Sequence, residues 1–247
     1  AKLIVKEACI IAGIRIAKEV FLHLDKEAVF TAFHTDGEYL EVGTIAFTVK
    51  AKAQAILQAE RLVLNTMQRM SGIATLTHSY VEKIKNYSTT ILDTRKTTPL
   101  FRAFEKEAVL LGGAKNHRMG LYDMIMLKDN HIDYCGGIEK AIAAANNYLK
   151  EQQLQLPIEV ETRSLDDVKR VVKVGGVQRI MLDNFTPQEI EAALVLINKQ
   201  FETEASGGIN FDTIEAYAAT GVDFISVGAV IHHATSLDLS LKAVLHE

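Results

Sequence analysis

The sequence lacks several features that mark secreted, membrane-spanning or disordered proteins. Among 247 residues it has no Trp, three Pro and two Cys, and no apolar run reaches the roughly eighteen residues of a membrane-spanning helix. Cys9 and Cys135 are too few for a disulfide scaffold, so we expect free thiols and a cytoplasmic protein without a membrane partner. No Pro- or Ser-rich stretch marks a flexible linker.

Charge and composition narrow the class further. Lys and Arg number 27 against 31 Asp and Glu, for a net charge of −4, which disfavours a general nucleic-acid binder. The 48% hydrophobic and 23% charged residues are typical of a globular domain. The chain begins with Ala1 inside an apolar run rather than with Met, so we expect that an N-terminal portion is missing.

The spacing of apolar residues changes along the chain. Residues 29–33 and 44–49 favour short strands with a turn at 34–37, and residues 53–86 have helical spacing that predicts two helices broken near Ser71 and Gly72. From residue 89 short apolar strands alternate with helical stretches. The predicted strands are centred on 91–92, 124–127, 158–160, 180–182, 204–205 and 224–227, with helices at 138–149, 166–174, 187–198 and 211–219.

Alternating strands and helices predict a parallel sheet. Six such units fit an incomplete α/β barrel best, and an open doubly wound sheet is the alternative. In either fold ligands bind at the carboxyl ends of the strands. Those ends carry Glu161 and Asp183, an acid pair suited to ribose hydroxyls or to Mg²⁺ held through water.

Positive charge is concentrated in one segment. Residues 95–128 contain seven Lys or Arg and three acids, so this segment carries +4 and the rest of the chain −8. Arg102, Lys106 and Lys115 are expected on a solvated helix face, whereas strand-end cations predict a polyanionic ligand. Two Gly-containing loops between a strand and a helix, 206–208 and 228–229, suit a phosphate.

Several motifs together resemble the quinolinate phosphoribosyltransferase family. They are Glu60–Arg61 through Ser71–Thr75, Leu92–Pro99, Gly112–Leu121, Leu127–His131, Glu159–Glu161, Leu182–Asn184 and Glu204–Ile209. The resemblance covers nearly the whole chain, in order. Three departures are visible: Leu100 stands where the family usually has Gly, Ala114 replaces the third Gly of a triplet, and the family's N-terminal helical segment is missing.

The resemblance implies a type II phosphoribosyltransferase-like incomplete α/β barrel with an N-terminal α/β open-faced sandwich domain. It divides the chain into a sandwich domain at 1–88, a barrel at 89–233 and a C-terminal segment at 234–247 that packs back on the first domain. It also implies transfer of a phosphoribosyl group from phosphoribosyl pyrophosphate to quinolinate, with Mg²⁺, giving nicotinate mononucleotide, pyrophosphate and CO₂ in NAD biosynthesis. A homodimer is expected, with Arg61 reaching the partner's site; assembly beyond the dimer is left open.

The resemblance also assigns roles to individual residues. Quinolinate would be bound by Arg95, Arg118 and Lys128, with His117 as a hydrogen-bond donor and Arg61 from the partner subunit. Lys96, with Thr94 beside it, would neutralise the pyrophosphate, and Glu161 and Asp183 would hold the ribose hydroxyls and the water shell of Mg²⁺. The groups with catalytic roles are Lys96, Lys128, Glu161 and Asp183. The 5′-phosphate would be bound by Ser206, Gly207, Gly208, Val227, Gly228 and Ala229.

Two other functions are open at this point. The related molybdenum-transport-associated proteins share part of these motifs, although Lys128–His131 favours the quinolinate enzyme. An inactive phosphosugar-binding scaffold is the second alternative, and the loss of a strand-end cation or acid would indicate it.

Overall fold

The computed structural model describes residues 1–244, which divide into two compact units built from separated stretches of chain. The first comprises Ala1–Val81, Lys96–Ala114 and the chain from Ala229 onward, and the second comprises Glu82–Arg95 and Lys115–Gly228. The boundaries 1–88, 89–233 and 234–247 stay a prediction, and the last three residues of the predicted C-terminal segment lie outside the described residues.

The elements follow one another closely along the chain. The first part contains β1 (Lys2–Val5), β2 (Cys9–Ile10), α1 (Ile14–Leu24), β3 (Val29–Ala32), β4 (Tyr39–Leu40), β5 (Ile45–Lys50) and α2 (Ala53–Lys83). The middle contains β6 (Thr90–Leu92), α3 (Arg102–Leu111), β7 (Ile125–Leu127), α4 (Asp129–Cys135), α5 (Ile138–Glu151), β8 (Ile158–Thr162) and α6 (Leu165–Val174). The last part contains β9 (Arg179–Asp183), α7 (Pro187–Ile197), β10 (Glu202–Ser206), α8 (Ile214–Ala218), β11 (Phe224–Ser226), α9 (Ala229–His232) and β12 (Leu239–Lys242).

The first unit is built on an antiparallel sheet in the order β12-β1-β5-β3. Side chains alternate between buried and half-buried along β1, as expected for a sheet with one covered face. Phe21 of α1 and Met67 of α2 join Leu3 and Phe47 of the sheet in one apolar core. Helices α1 and α2 therefore cover one face of the sheet, which is the predicted open-faced sandwich. Neither α1 nor the strands β1 and β12 were predicted from the sequence.

The predicted break in the long helix is wrong, because α2 runs without interruption for 31 residues. Gly72 is not a helix breaker but a point of close approach, where a Cβ atom would overlap the carbonyl oxygen of Thr235. Arg69 on the same helix donates to the carbonyls of Ile231 and Ala234 at 2.8 and 2.6 Å. Gly72 thus lets a segment more than 150 residues away in sequence lie against the helix.

The second unit is an incomplete α/β barrel, as predicted. Its six parallel strands are ordered β6-β11-β10-β9-β8-β7, so the strands from β7 to β11 follow sequence order and the last of them pairs with β6. A doubly wound sheet would reverse its strand order instead. Between β6 and β7 the described sheet contains no ladder, although Leu92 forms an isolated parallel bridge with Lys115.

The predicted barrel helices are confirmed with small shifts at their ends, although α8 is shorter than the predicted 211–219. Helix α7 begins as expected: the Thr186 hydroxyl accepts the Glu189 N–H, and Pro187 occupies the first turn. The predicted solvated position of Lys106 is wrong, because this residue is fully buried on α3 beside Glu105. Within the described chain Cys9 and Cys135 are free thiols, and none of the helices there is long and apolar enough to cross a membrane.

Candidate active site at the carboxyl ends of the barrel strands

Two acids and a lysine lie together at the ends of adjacent strands. Glu161 is the fourth residue of β8 and Asp183 the last of β9, while Lys128 follows β7 directly. The Lys128 Nζ lies 3.2 Å from Glu161 Oε2, with the lysine half-exposed and the carboxylate 10% exposed. Parallel strands bring their carboxyl ends to the same edge, so the barrel places these three predicted site residues in one cluster.

Asp183 lies in a tightly packed part of this edge, where Asn184 and Gly207 constrain it. Burial, and then the nearby charge of Glu161, raise the pKa of Asp183 above its usual range. The Asn184 side chain donates to Asp183 Oδ2 at 2.7 Å, and the Asn184 N–H donates to the Ser206 carbonyl at 2.8 Å. Gly207 approaches Asn184 so closely that a Cβ would overlap its side chain, at a φ of +94°. A bound cation or hydroxyl donor at this edge would relieve the repulsion between the two acids.

Two of the predicted site arginines, Arg95 and Arg118, lie close to each other. Arg118 donates from Nη1 to the Met124 carbonyl at 3.1 Å. Burial, and then the positive charge of Arg95, lower the pKa of Arg118. Neighbouring guanidinium groups repel each other, and an anion between them would turn this repulsion into attraction. Arg95 and Arg118 together therefore suit a carboxylate or a phosphate.

A buried polar cluster lies inside the barrel, and of its members only His117 was given a role from the sequence. The Nε2 atom of His117 lies 2.9 Å from Glu159 Oε2 and 3.4 Å from Glu204 Oε2. Arg179 Nη1 lies 2.9 Å from Glu204 Oε2, and its guanidinium stacks on the Phe224 ring at 4.1 Å. Glu159 and Glu204 are completely buried. In the sequence Glu159 stands two positions before Glu161, and Glu204 two positions before Ser206. Alternate residues of a strand share a face, so this spacing could have indicated that the two glutamates lie below the predicted site.

The charges of this cluster are strongly coupled. Burial, and then the charge of Glu204, raise the pKa of Glu159 to about 7. Burial opposes the charge of His117, but its hydrogen bonds to Glu159 and Glu204 raise its pKa. A second contact opposes protonation of the ring, because the Arg118 N–H donates to His117 Nδ1 at 2.7 Å and a proton there would remove the acceptor. Because Nδ1 accepts this hydrogen bond, the ring proton is assigned to Nε2, which faces the two carboxylates.

The remaining predicted residues occupy both units. Thr94 and Arg95 follow β6 in the second unit, whereas the exposed Arg61 on α2, Lys96 and Ala229 belong to the first. Ser206 ends β10, and the two glycines after it adopt positive φ angles of +94° and +64°. The Val227 N–H donates to the Leu92 carbonyl at 2.9 Å, so this amide serves the sheet rather than a ligand.

The fold and the strand-end residues define a class of protein. It is an α/β barrel whose acids, lysine and paired arginines at the carboxyl ends of the strands are suited to a highly anionic ligand that carries hydroxyl groups.

Comparisons with known proteins identify the family. Residues 1–71 match the quinolinate phosphoribosyl transferase N-terminal domain and residues 73–242 match its C-terminal domain. Quinolinate phosphoribosyltransferase [decarboxylating] 1b of Nicotiana tabacum is 43% identical, over 98% of this chain and 73% of that protein. The probable nicotinate-nucleotide pyrophosphorylase [carboxylating] of Synechocystis is 40% identical, over 99% of this chain and 82% of its own. The nicotinate-nucleotide pyrophosphorylase structure from Francisella tularensis superposes with a TM-score of 0.91 at 40% identity, covering 97% of this chain and 84% of the other. The chain belongs to the quinolinate phosphoribosyltransferase family.

Proposed function

We infer that this chain is a nicotinate-nucleotide pyrophosphorylase of the carboxylating type, a transferase of NAD biosynthesis. It transfers the phosphoribosyl group of phosphoribosyl pyrophosphate to quinolinate and releases pyrophosphate and CO₂. The observation that carries this inference is the match to both family domains over residues 1–242 in a barrel that keeps Lys128 within 3.2 Å of Glu161. The relatives described above are named as enzymes that act in this reaction. Their names favour an active enzyme over a molybdenum-transport-associated protein or an inactive scaffold.

Quinolinate is a dicarboxylate, so its binding needs several cations. The charges of Arg95 and Arg118 already act on each other, and each arginine is suited to one carboxylate of quinolinate. Lys128 is suited to the edge of the quinolinate ring that lies nearer the ribose. Arginine binds a carboxylate through two parallel hydrogen bonds, which would fix the direction of the ring nitrogen. With the nitrogen held towards C1 of the ribose, the new N–C1 bond forms as the C1–O bond to pyrophosphate breaks. The carboxylate next to the nitrogen then leaves as CO₂, and its ring carbon takes up a proton.

Glu161 and Asp183 would stabilise the positive charge that develops on the sugar. Burial, and then the charge of Glu161, raise the pKa of Asp183, so both carboxylates would be stabilised most when the ribose becomes cationic. Oxygen donors of this kind also suit Mg²⁺ held through water. The metal would supply charge neutralisation for the departing pyrophosphate, together with the predicted role of Lys96 and Thr94.

The 5′-phosphate is assigned to the loop 206–208 and to Gly228 and Ala229. Gly207 and Gly208 have positive φ angles and no Cβ atoms, so their backbone N–H groups are not shielded by a side chain of their own. Homodimer assembly, with Arg61 acting in the partner's site, and a cytoplasmic location are part of the same proposal. The location is argued from the two free thiols, and some plant relatives are named chloroplastic or mitochondrial.

A substrate comparison tests the proposal. Purified protein is incubated with Mg²⁺, phosphoribosyl pyrophosphate and either quinolinate or nicotinate, and both CO₂ and pyrophosphate are measured. We expect strong preference for quinolinate, because nicotinate leaves part of the desolvated cationic charge unpaired at a cost of several kcal/mol. Chelation of Mg²⁺ should abolish pyrophosphate release. Comparable pyrophosphate release with the two acids would refute the assignment.

A further inference from the structure

No step of the proposed reaction uses the buried cluster of His117, Glu159, Glu204 and Arg179. It draws one residue from each of three neighbouring strands, β8, β9 and β10, and His117 from the loop before β7. Buried ionisable groups are costly unless they are paired. Apolar residues at these positions would avoid this cost. We therefore expect a function for the cluster, which lies directly below the strand-end acids.

The ring of His117 connects this cluster to a predicted quinolinate ligand. Its Nε2 lies 2.9 Å from Glu159 Oε2 and 3.4 Å from Glu204 Oε2, within ion-pair distance of both carboxylates. Its Nδ1 accepts the backbone N–H of Arg118 at 2.7 Å. The backbone N–H of His117 itself donates to the buried Asp93 Oδ1 at 2.8 Å. The dipeptide His117–Arg118 is thus fixed at the backbone and at the ring.

This arrangement does not present the ring of His117 to a ligand. The side chain is 5% exposed, and both nitrogens face protein groups. A direct hydrogen bond from His117 to quinolinate stays a prediction, and it would require the ring to leave the partners described here. Nor does the cluster suit a metal ion, although its histidine and carboxylates are of the types that bind one, because Nε2 carries the ring proton.

We propose that Glu159 and Glu204 are positioning residues that fix the His117 ring and, through its Nδ1, the backbone from which Arg118 extends. This rests on the proposed function, in which Arg118 binds a carboxylate of quinolinate. Arg179 holds Glu204 in place through the 2.9 Å ion pair. Small displacements of such a guanidinium weaken a bidentate contact with a planar carboxylate strongly. The cluster consequently acts on the binding of quinolinate rather than on phosphoribosyl pyrophosphate.

Kinetics of paired variants test this role. Glu159→Leu removes the acceptor at similar volume, and we expect the KM for quinolinate to rise about tenfold or more while that for phosphoribosyl pyrophosphate changes less than about twofold. Glu159→Gln keeps an acceptor oxygen for Nε2–H and should restore most of the loss. Glu202→Gln is the matched control, because Glu202 also pairs with Arg179, at 2.9 Å, but is half-exposed and does not face His117. Equal effects on both substrates, or no rescue by Gln, would overturn the proposal.

Nuclear magnetic resonance of the wild-type protein gives a readout that does not depend on activity or on the folding of a variant. With ¹⁵N-labelled histidine, His117 should show a protonated Nε2 and an unprotonated Nδ1, and the Arg118 amide should exchange slowly with solvent. An Nδ1–H tautomer or a rapidly exchanging Arg118 amide would overturn the positioning role. If wild-type protein failed to release CO₂ from quinolinate, the proposed function would fall while these signals still reported whether the cluster holds the loop.

Discussion

Replacing Gly207 by Ala should damage the active site more than any strain in the loop alone would. Gly207 has a φ of +94°, and a Cβ there would overlap the Asn184 side chain and approach the Asn184 backbone nitrogen to 2.9 Å. Asn184 in turn donates to Asp183 at 2.7 Å. One added methyl group therefore pushes on the residue that orients a proposed catalytic carboxylate.

The size of the effect follows from two contributions. A residue with a Cβ in a left-handed conformation costs about 1 to 2 kcal/mol, and overpacking against Asn184 adds about 1 to 3 kcal/mol. Gly221→Ala isolates the first contribution, because Gly221 has a φ of +83° and a Cβ there meets nothing within 4 Å. We expect Gly207→Ala to be less stable than Gly221→Ala by about 1 to 3 kcal/mol, or several degrees in melting temperature for a chain of this size.

Thermal melting and steady-state kinetics measure the two consequences. Gly221→Ala should keep wild-type kinetics, whereas Gly207→Ala should lose about 10²-fold or more in kcat/KM because Asp183 moves with Asn184. The double variant Gly207→Ala with Asn184→Gly removes the overlapping side chain and should regain part of the melting temperature. If Gly207→Ala melted and reacted like Gly221→Ala, the close approach to Asn184 would not constrain this site.

Three further perturbations follow from the structure. Glu161→Ala should lower kcat/KM by about 10²-fold, whereas Lys169→Ala, which removes only an exposed pair with Asp166, should not; wild-type activity with normal Mg²⁺ dependence in Glu161→Ala would contradict the role of the acid. Arg61→Ala and Lys128→Ala should each be nearly inactive, and mixed dimers should regain about a quarter of wild-type activity if Arg61 acts across the interface; verified heterodimers without recovery would assign Arg61 to its own subunit. Gly72→Ala would stabilise an isolated helix by about 1 kcal/mol. In this protein it should lower the melting temperature, because the added Cβ would overlap the Thr235 carbonyl. A higher melting temperature would show that the segment around Thr235 moves away to make room for the Cβ.

The barrel was predictable because its signal is local. Most of the parallel strands contain a short apolar run beside a polar residue, and helices α6 and α7 begin with side-chain caps at Ser164 and Thr186. In the first unit β3, β5 and most of α2 were predicted, but β1 and β12 were not, because they pair with each other across nearly the whole described chain. The wrong break at Gly72 has the same origin: only the position of Thr235 explains the glycine.

The residues of the candidate site were likewise predictable only in part. Glu161, Asp183 and Lys128 were predictable because strand ends converge on one edge of a parallel sheet, and the structure brings all three together. Glu159, Glu204 and Arg179 received no role because a buried charge is explained only by the partners that neutralise it, and these come from different strands. The burial of Lys106 was missed for the same reason, since a helical lysine is usually solvated.

The pairing of β1 with β12 has a consequence for how the protein is made. Lys2 lies opposite Lys242 in this ladder, so one edge of β1 stays unpaired until β12, near the other end of the described chain, has been synthesised. Contacts that span nearly the whole chain form slowly, and an unpaired strand edge is prone to association with other chains. The barrel strands β7 to β11 pair with near neighbours and can assemble during synthesis. Between these two events the free edge of β1 is open to association with other chains.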